Sequence, residues 1–106
     1  MITLYTIGTQ ETFDDRLATD GPFVVAPGKF AFLTVADAVA YLRALTEPWH
    51  LWCAVYKMTV KRTTMAVAVS KRGTNPADPV RLRVKARVTR RVWPLRNLTI
   101  LKGAVP

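Results

Sequence analysis

Between Val80 and Val88 every second residue is cationic. Arg81, Arg83, Lys85 and Arg87 alternate with Val80, Leu82, Val84, Ala86 and Val88. Successive side chains of an extended chain point to opposite faces. A strand here would carry four positive charges on one face, about 7 Å apart and spanning about 20 Å. A helix would scatter the same charges around its axis. Arg90, Arg91 and Arg96 extend the basic field. An exposed Trp93 among them would supply an aromatic plane on which an unpaired base can stack, and the alternative for this tryptophan beside a proline is a partly buried packing role. Like charges this close repel, and a polyanion relieves the repulsion. The chemistry suggested is phosphate binding, with DNA or RNA as partner. An acidic protein surface would satisfy the same charges. Three other uses are open. Arginine stems can cover an apolar sheet while their heads stay wet. Cationic strands also guard sheet edges against pairing with another chain. The strand could equally be an assembly contact in an oligomer.

Catalytic chemistry has less to work with. His50 is the only histidine and Cys53 the only cysteine. Their offset of three sends the side chains to opposite faces of a strand, so a Cys–His dyad is not expected. Cys53 lies in an apolar run and reads as a buried, inert thiol. Glu11, Asp14 and Asp15 form one acidic turn, a poor magnesium site without further ligands. No Gly-x-Gly-x-x-Gly, Walker or Gly-x-Ser-x-Gly pattern occurs. No catalytic residue, cofactor or metal is assigned. The basic face also lacks the signatures of a helix-turn-helix, a zinc finger or a basic zipper.

The charge is distributed unevenly. Sixteen basic residues against seven acidic ones give +9 over 106 residues. Residues 1–56 carry three basic and six acidic groups, net −3; residues 57–106 carry thirteen basic and one acidic, net +12. An apolar fraction of 50% is that of a folded chain. A chain of this size buries about 65% of its surface, enough for one core, so residues 1–106 are expected to form a single domain. A lone cysteine rules out an internal disulfide framework. The opening residues lack a basic, apolar leader. No apolar run approaches the roughly 20 residues needed to cross a bilayer. A cytoplasmic location is expected.

Several elements must position these groups. Residues 2–7 alternate at period two, a first strand ended by Gly8. Residues 11–18 read as a short helix with Phe13 and Leu17 on one face, closed by a turn at 19–22. Residues 23–26 form a short apolar element. Thr34 caps the strongest helix, with Val35, Ala38, Val39, Leu42 and Leu45 at helical spacing and a stop at Glu47-Pro48. Residues 51–60 then alternate as a long strand. Residues 65–69 alternate again after four polar residues, which suggests a hairpin. Residues 71–79 form a loop, residues 80–88 the cationic strand, and residues 98–101 a last edge strand.

The order of strand, Gly-Pro turn, Thr-capped helix and tryptophan-rich strand resembles small helix-on-sheet proteins, some related to ADP-ribosyl-transferring folds. No histidine–tyrosine–glutamate set maps onto this chain, so the resemblance carries over no activity. The short, basic form also resembles phage or plasmid accessory proteins. The expected fold is α+β, a mainly antiparallel sheet of four to six strands with one packed helix; a small SH3-like barrel with an added helix is the alternative. The expected function is a non-enzymatic accessory protein that binds nucleic acid through phosphates. The alternatives are an inhibitor or adaptor docking an acidic protein surface, and a structural assembly subunit.

Overall fold

The computed structural model describes residues 1–45, 52–70 and 78–95. The elements run β1 (Ile2–Thr9), α1 (Gln10–Asp20), β2 (Phe23–Val25), β3 (Phe30–Ala31), α2 (Val35–Ala44), β4 (Cys53–Val60), α3 (Met65–Ala68), β5 (Val80–Arg81) and β6 (Ala86–Trp93). Four strands form an antiparallel sheet in the order β1-β4-β6-β2, and β3 pairs with β5 in a separate two-stranded ladder. The fold is therefore mixed α+β with an antiparallel sheet, and not a closed barrel.

β4 occupies an inner position because it is apolar on both sides. Ala54, Tyr56 and Met58 face one core with Leu4, Phe23 and Val88, against which Phe13 and Leu17 of α1 pack. Cys53 and Val55 face a second core with Phe32 and with Ala38 and Leu42 of α2. Two helices thus cover opposite faces of one sheet. The α2 start follows its sequence: the Asp37 amide donates to Thr34 Oγ1 at 3.0 Å. α1 ends at Gly21, whose φ of 73° suits a residue without Cβ and whose amide donates to the Leu17 carbonyl at 3.1 Å.

The first strand does not end at Gly8 but runs through it to Thr9, and two expected elements differ in kind. Residues 65–69 do not form a hairpin with β4. Both edges of β4 are already paired, by β1 from Ile2↔Val60 to Thr9↔Cys53 and by β6 from Val55↔Trp93 to Thr59↔Arg87. Met65–Ala68 instead makes one helical turn, consistent with its good helix formers. Val69 then bridges Leu82. The cationic segment is also not one strand. β5 ends at Arg81, the chain bends at residues 83–84, and β6 begins at Ala86. Its burial alternation survives the bend. Val80, Leu82, Ala86 and Val88 are buried and Val84 half-buried, while Arg81, Arg83, Lys85 and Arg87 are exposed. The apolar residues on both sides of the bend face the same core. The stop at Glu47-Pro48, the loop segment 71–77 and the edge strand at 98–101 lie outside the described residues.

Leu82→Ala is expected to cost about 2–4 kcal/mol in denaturant melts, since Leu82 is 2% exposed. Arg83→Ala is expected to cost less than about 0.5 kcal/mol. Equal losses would contradict the inward and outward assignment.

Candidate polyanion-binding face

The cationic residues singled out by the sequence go to different places. Arg81 is drawn onto β3: its Nη1 donates to the Gly28 carbonyl at 3.0 Å and its guanidinium lies 4.4 Å from the Phe30 ring centroid. Arg83 flanks the bend beside Met65 and Ser70. Arg91 faces α1. Its Nη1 donates to Asp14 Oδ2 at 2.6 Å, the only ion pair among the described residues. Trp93 is half-buried against the α2 core, 5.9 Å from the Arg43 guanidinium. It packs there as a partly buried side chain, the alternative the sequence offered for it. His50 and Arg96 lie outside the described residues.

Lys85, Arg87 and Arg90 remain exposed, and the register adds three further cations. Thr59 pairs with Arg87 and Lys57 with Arg90, so these four side chains share one sheet face. It is the same face that carries Cys53 and Val55 at the other end of β4. α2 covers that end; no described helix covers the Lys57–Thr59 end. Immediately beyond β4, Lys61 and Arg62 turn back beside Lys85 and Arg87. Together with Thr59, Thr63, Val24 and Val84 they line an open depression of about 450 Å³. No acidic side chain is among its described lining residues. Arg62 sits at φ 53°, a left-handed conformation that costs a non-glycine residue about 1–3 kcal/mol.

Lys57, Lys61 and Arg62 escaped the sequence reading because they precede the alternating segment by about twenty residues. Only antiparallel pairing of β4 with β6 brings them to it. The one available signal was their place at the start of the basic half. The acidic residues go elsewhere: Glu11, Asp14, Asp15 and Asp20 all belong to α1, on the opposite side of the sheet. Four acidic residues are thus gathered on the α1 side, away from the depression, while Asp37 starts α2 on the other.

One buried network fixes that division. Tyr56, fully buried, donates its hydroxyl to Asp14 Oδ1 at 2.7 Å, while Arg91 holds the other carboxylate oxygen. Burial raises the Tyr56 phenol well above its ordinary value; the Asp14 hydrogen bond and charge add to the rise, and Arg91 opposes it. At the other end of β4, burial raises the Cys53 thiol to about 11, partly offset by nearby Lys29. Burial in turn lowers Lys29. Cys53 therefore remains a protonated thiol at neutral pH, unsuited to nucleophilic work.

Among the described residues, no group of three or more His, Cys, Asp and Glu could hold a metal ion. No described helix is long and apolar enough to cross a membrane. No protein-family model, curated protein or solved structure matches the chain.

Asp14→Ala removes the acceptor of a buried hydroxyl and the partner of a largely buried guanidinium. It is expected to cost about 2–3 kcal/mol in denaturant melts, and Tyr56→Phe about 1 kcal/mol. The raised Tyr56 value also has a sign. An unfolded tyrosine loses its proton near pH 10, whereas the folded one retains it, so this contribution is full below about pH 10 and is lost as pH rises above it. Stability of Tyr56→Phe should fall less steeply than that of the wild type over that alkaline range.

Proposed function

We propose that the protein binds nucleic acid through phosphate contacts at Lys57, Lys61, Arg62, Lys85, Arg87 and Arg90, without catalysis. The observation that carries this reading is the convergence of Lys61 and Arg62 with Lys85 and Arg87 around one depression free of acidic residues among those described. Two segments distant in sequence meet there, and Lys57 and Arg90 stand directly opposite each other on adjacent strands. Like charges in that arrangement destabilise the sheet slightly. A line of phosphates would relieve the repulsion and release counterions on binding. With Trp93 half-buried against the α2 core and threonines between the cations, the face offers charge and hydroxyls rather than stacking planes. Such a surface follows a backbone and does not read bases. The reading places the protein in a compartment that holds DNA or RNA, as a cytoplasmic accessory protein would be.

A salt titration of binding to nonspecific duplex and single-stranded DNA tests the proposal. Four to six phosphate contacts predict a log–log slope of about −3 to −5. Lys85→Ala and Arg87→Ala should each flatten it by about one contact on unrelated sequences alike. Arg81→Ala should leave the slope unchanged, because that guanidinium is engaged with Gly28 and Phe30. Arg62→Gly should weaken binding without loss of stability, since glycine suits the left-handed backbone. The proposal fails if binding is insensitive to salt. It fails equally if excess nonspecific nucleic acid cannot compete while an acidic protein is retained; an adaptor role would then take its place.

A further inference from the structure

The opposite end of β4 carries a second and chemically different feature. Where β1 ends and β4 begins, a cavity of about 450 Å³ is walled by Phe13, Phe30, Phe32 and Tyr41, with Lys29 and Cys53 also at its surface. The volume lies in the range of small-molecule sites, which pair apolar walls with a few placed polar groups. Gly8 contributes bare backbone to the wall. A Cβ there would fall 2.6 Å from the Phe13 ring, so the absence of a side chain is what lets that ring lie against β1. Phe32 and Tyr41 pack with centroids 5.3 Å apart, fixing a second aromatic wall.

The charged group is Lys29, with Thr6 and Thr9 also on the lining. Its ammonium lies 5.0 Å from the centroid of the Phe13 ring. It makes no ion pair among the described residues, and no acidic residue is among those described as lining the cavity. The backbone on either side of it is held: the Gly28 amide donates to the Leu82 carbonyl at 2.8 Å and the Leu82 amide to the Lys29 carbonyl at 2.9 Å. The lysine stem is thus anchored at its root. A partly desolvated cation over an aromatic face gains most from an anion that enters the same low-dielectric space.

We infer that this cavity binds a small planar aromatic anion, its ring against the phenylalanine and tyrosine walls and its negative group on Lys29. The site is independent of the phosphate-binding face. Cys53 lines the cavity and Val60 the basic depression, and the two are opposite ends of one eight-residue strand, about 20 Å apart. Burial of the ligand ring supplies affinity, and the ammonium selects for charge.

The test uses naphthoate and its uncharged counterpart naphthalenemethanol, titrated into the full chain and followed by amide chemical shifts. Naphthoate is expected to give saturable shifts at Gly8, Thr9 and Cys53 and to bind at least about tenfold more tightly than the alcohol, as a charge-assisted contact predicts. Lys29→Gln should erase the preference while leaving the alcohol bound, and Lys29→Arg should restore it. The inference is overturned if wild-type protein binds the two probes equally. It is also overturned if no saturable shift reaches the cavity, or if naphthoate shifts only residues around Lys85 and Arg87. The comparison of the two probes on wild-type protein stands even if a Lys29 variant fails to fold.

Discussion

β4 is apolar on both faces for half its length, and the rest of the architecture follows from burying it. Cys53, Ala54, Val55 and Tyr56 are all at most 2% exposed. An inner strand of this composition needs a neighbour on each edge and a covering element on each face. β1 and β6 take the edges, α1 and α2 the faces. The tyrosine adds a condition, because its hydroxyl sits where water does not reach. Asp14 meets that condition, and Arg91 balances the carboxylate so introduced. An acidic helix is thereby fixed to one side of the sheet.

The composition of β4 changes at Lys57, and so does its role. From there on, one face remains apolar through Met58 and Val60 while the other carries Lys57 and Thr59. α2 covers only the apolar stretch of that second face. What is left is a half-buried stretch of sheet, Lys57 and Thr59, whose strand neighbours in β6 are arginines. The basic depression lies where helical coverage of β4 gives out, at its cationic end, whereas the cavity lies at the covered end, between aromatic side chains of α1, β3 and α2.

The capped helix, the first strand, the long inner strand and the burial pattern of residues 80–88 were legible because each rests on local periodicity or local capping chemistry. Thr34 and Leu82 behave as their neighbours in sequence dictate. The bend at residues 83–84 was not legible, since Val84 keeps the alternation whether or not the strand continues. The turn at Met65–Ala68 was hidden for a different reason. Alanine and methionine tolerate both geometries, and the edge of β4 they would have needed was taken by a segment some twenty residues further on. The candidate face was half visible. Lys85 and Arg87 announce themselves by spacing, whereas Lys57, Lys61 and Arg62 join them only through a tertiary register. Arg81, Arg91 and Trp93 have the right chemistry but are engaged by Gly28 and Phe30, by Asp14, and by the α2 core.

Every pairing in the four-stranded sheet joins segments far apart in the chain. Ile2 meets Val60, Phe23 meets Val88, and β4 reaches β6 across the segment that holds α3 and β5. No β-hairpin joins neighbouring strands among the described residues of this sheet. The chain must close large loops before any ladder repays the lost entropy, which makes formation of the sheet intrinsically slow for a protein of this size. During synthesis β1 has only its bridge to Phe32 until β4 has emerged, and β4 keeps one apolar edge open until β6 follows. α1 carries Asp14, so the acceptor that β4 and β6 need belongs to a helix that precedes both strands in the chain.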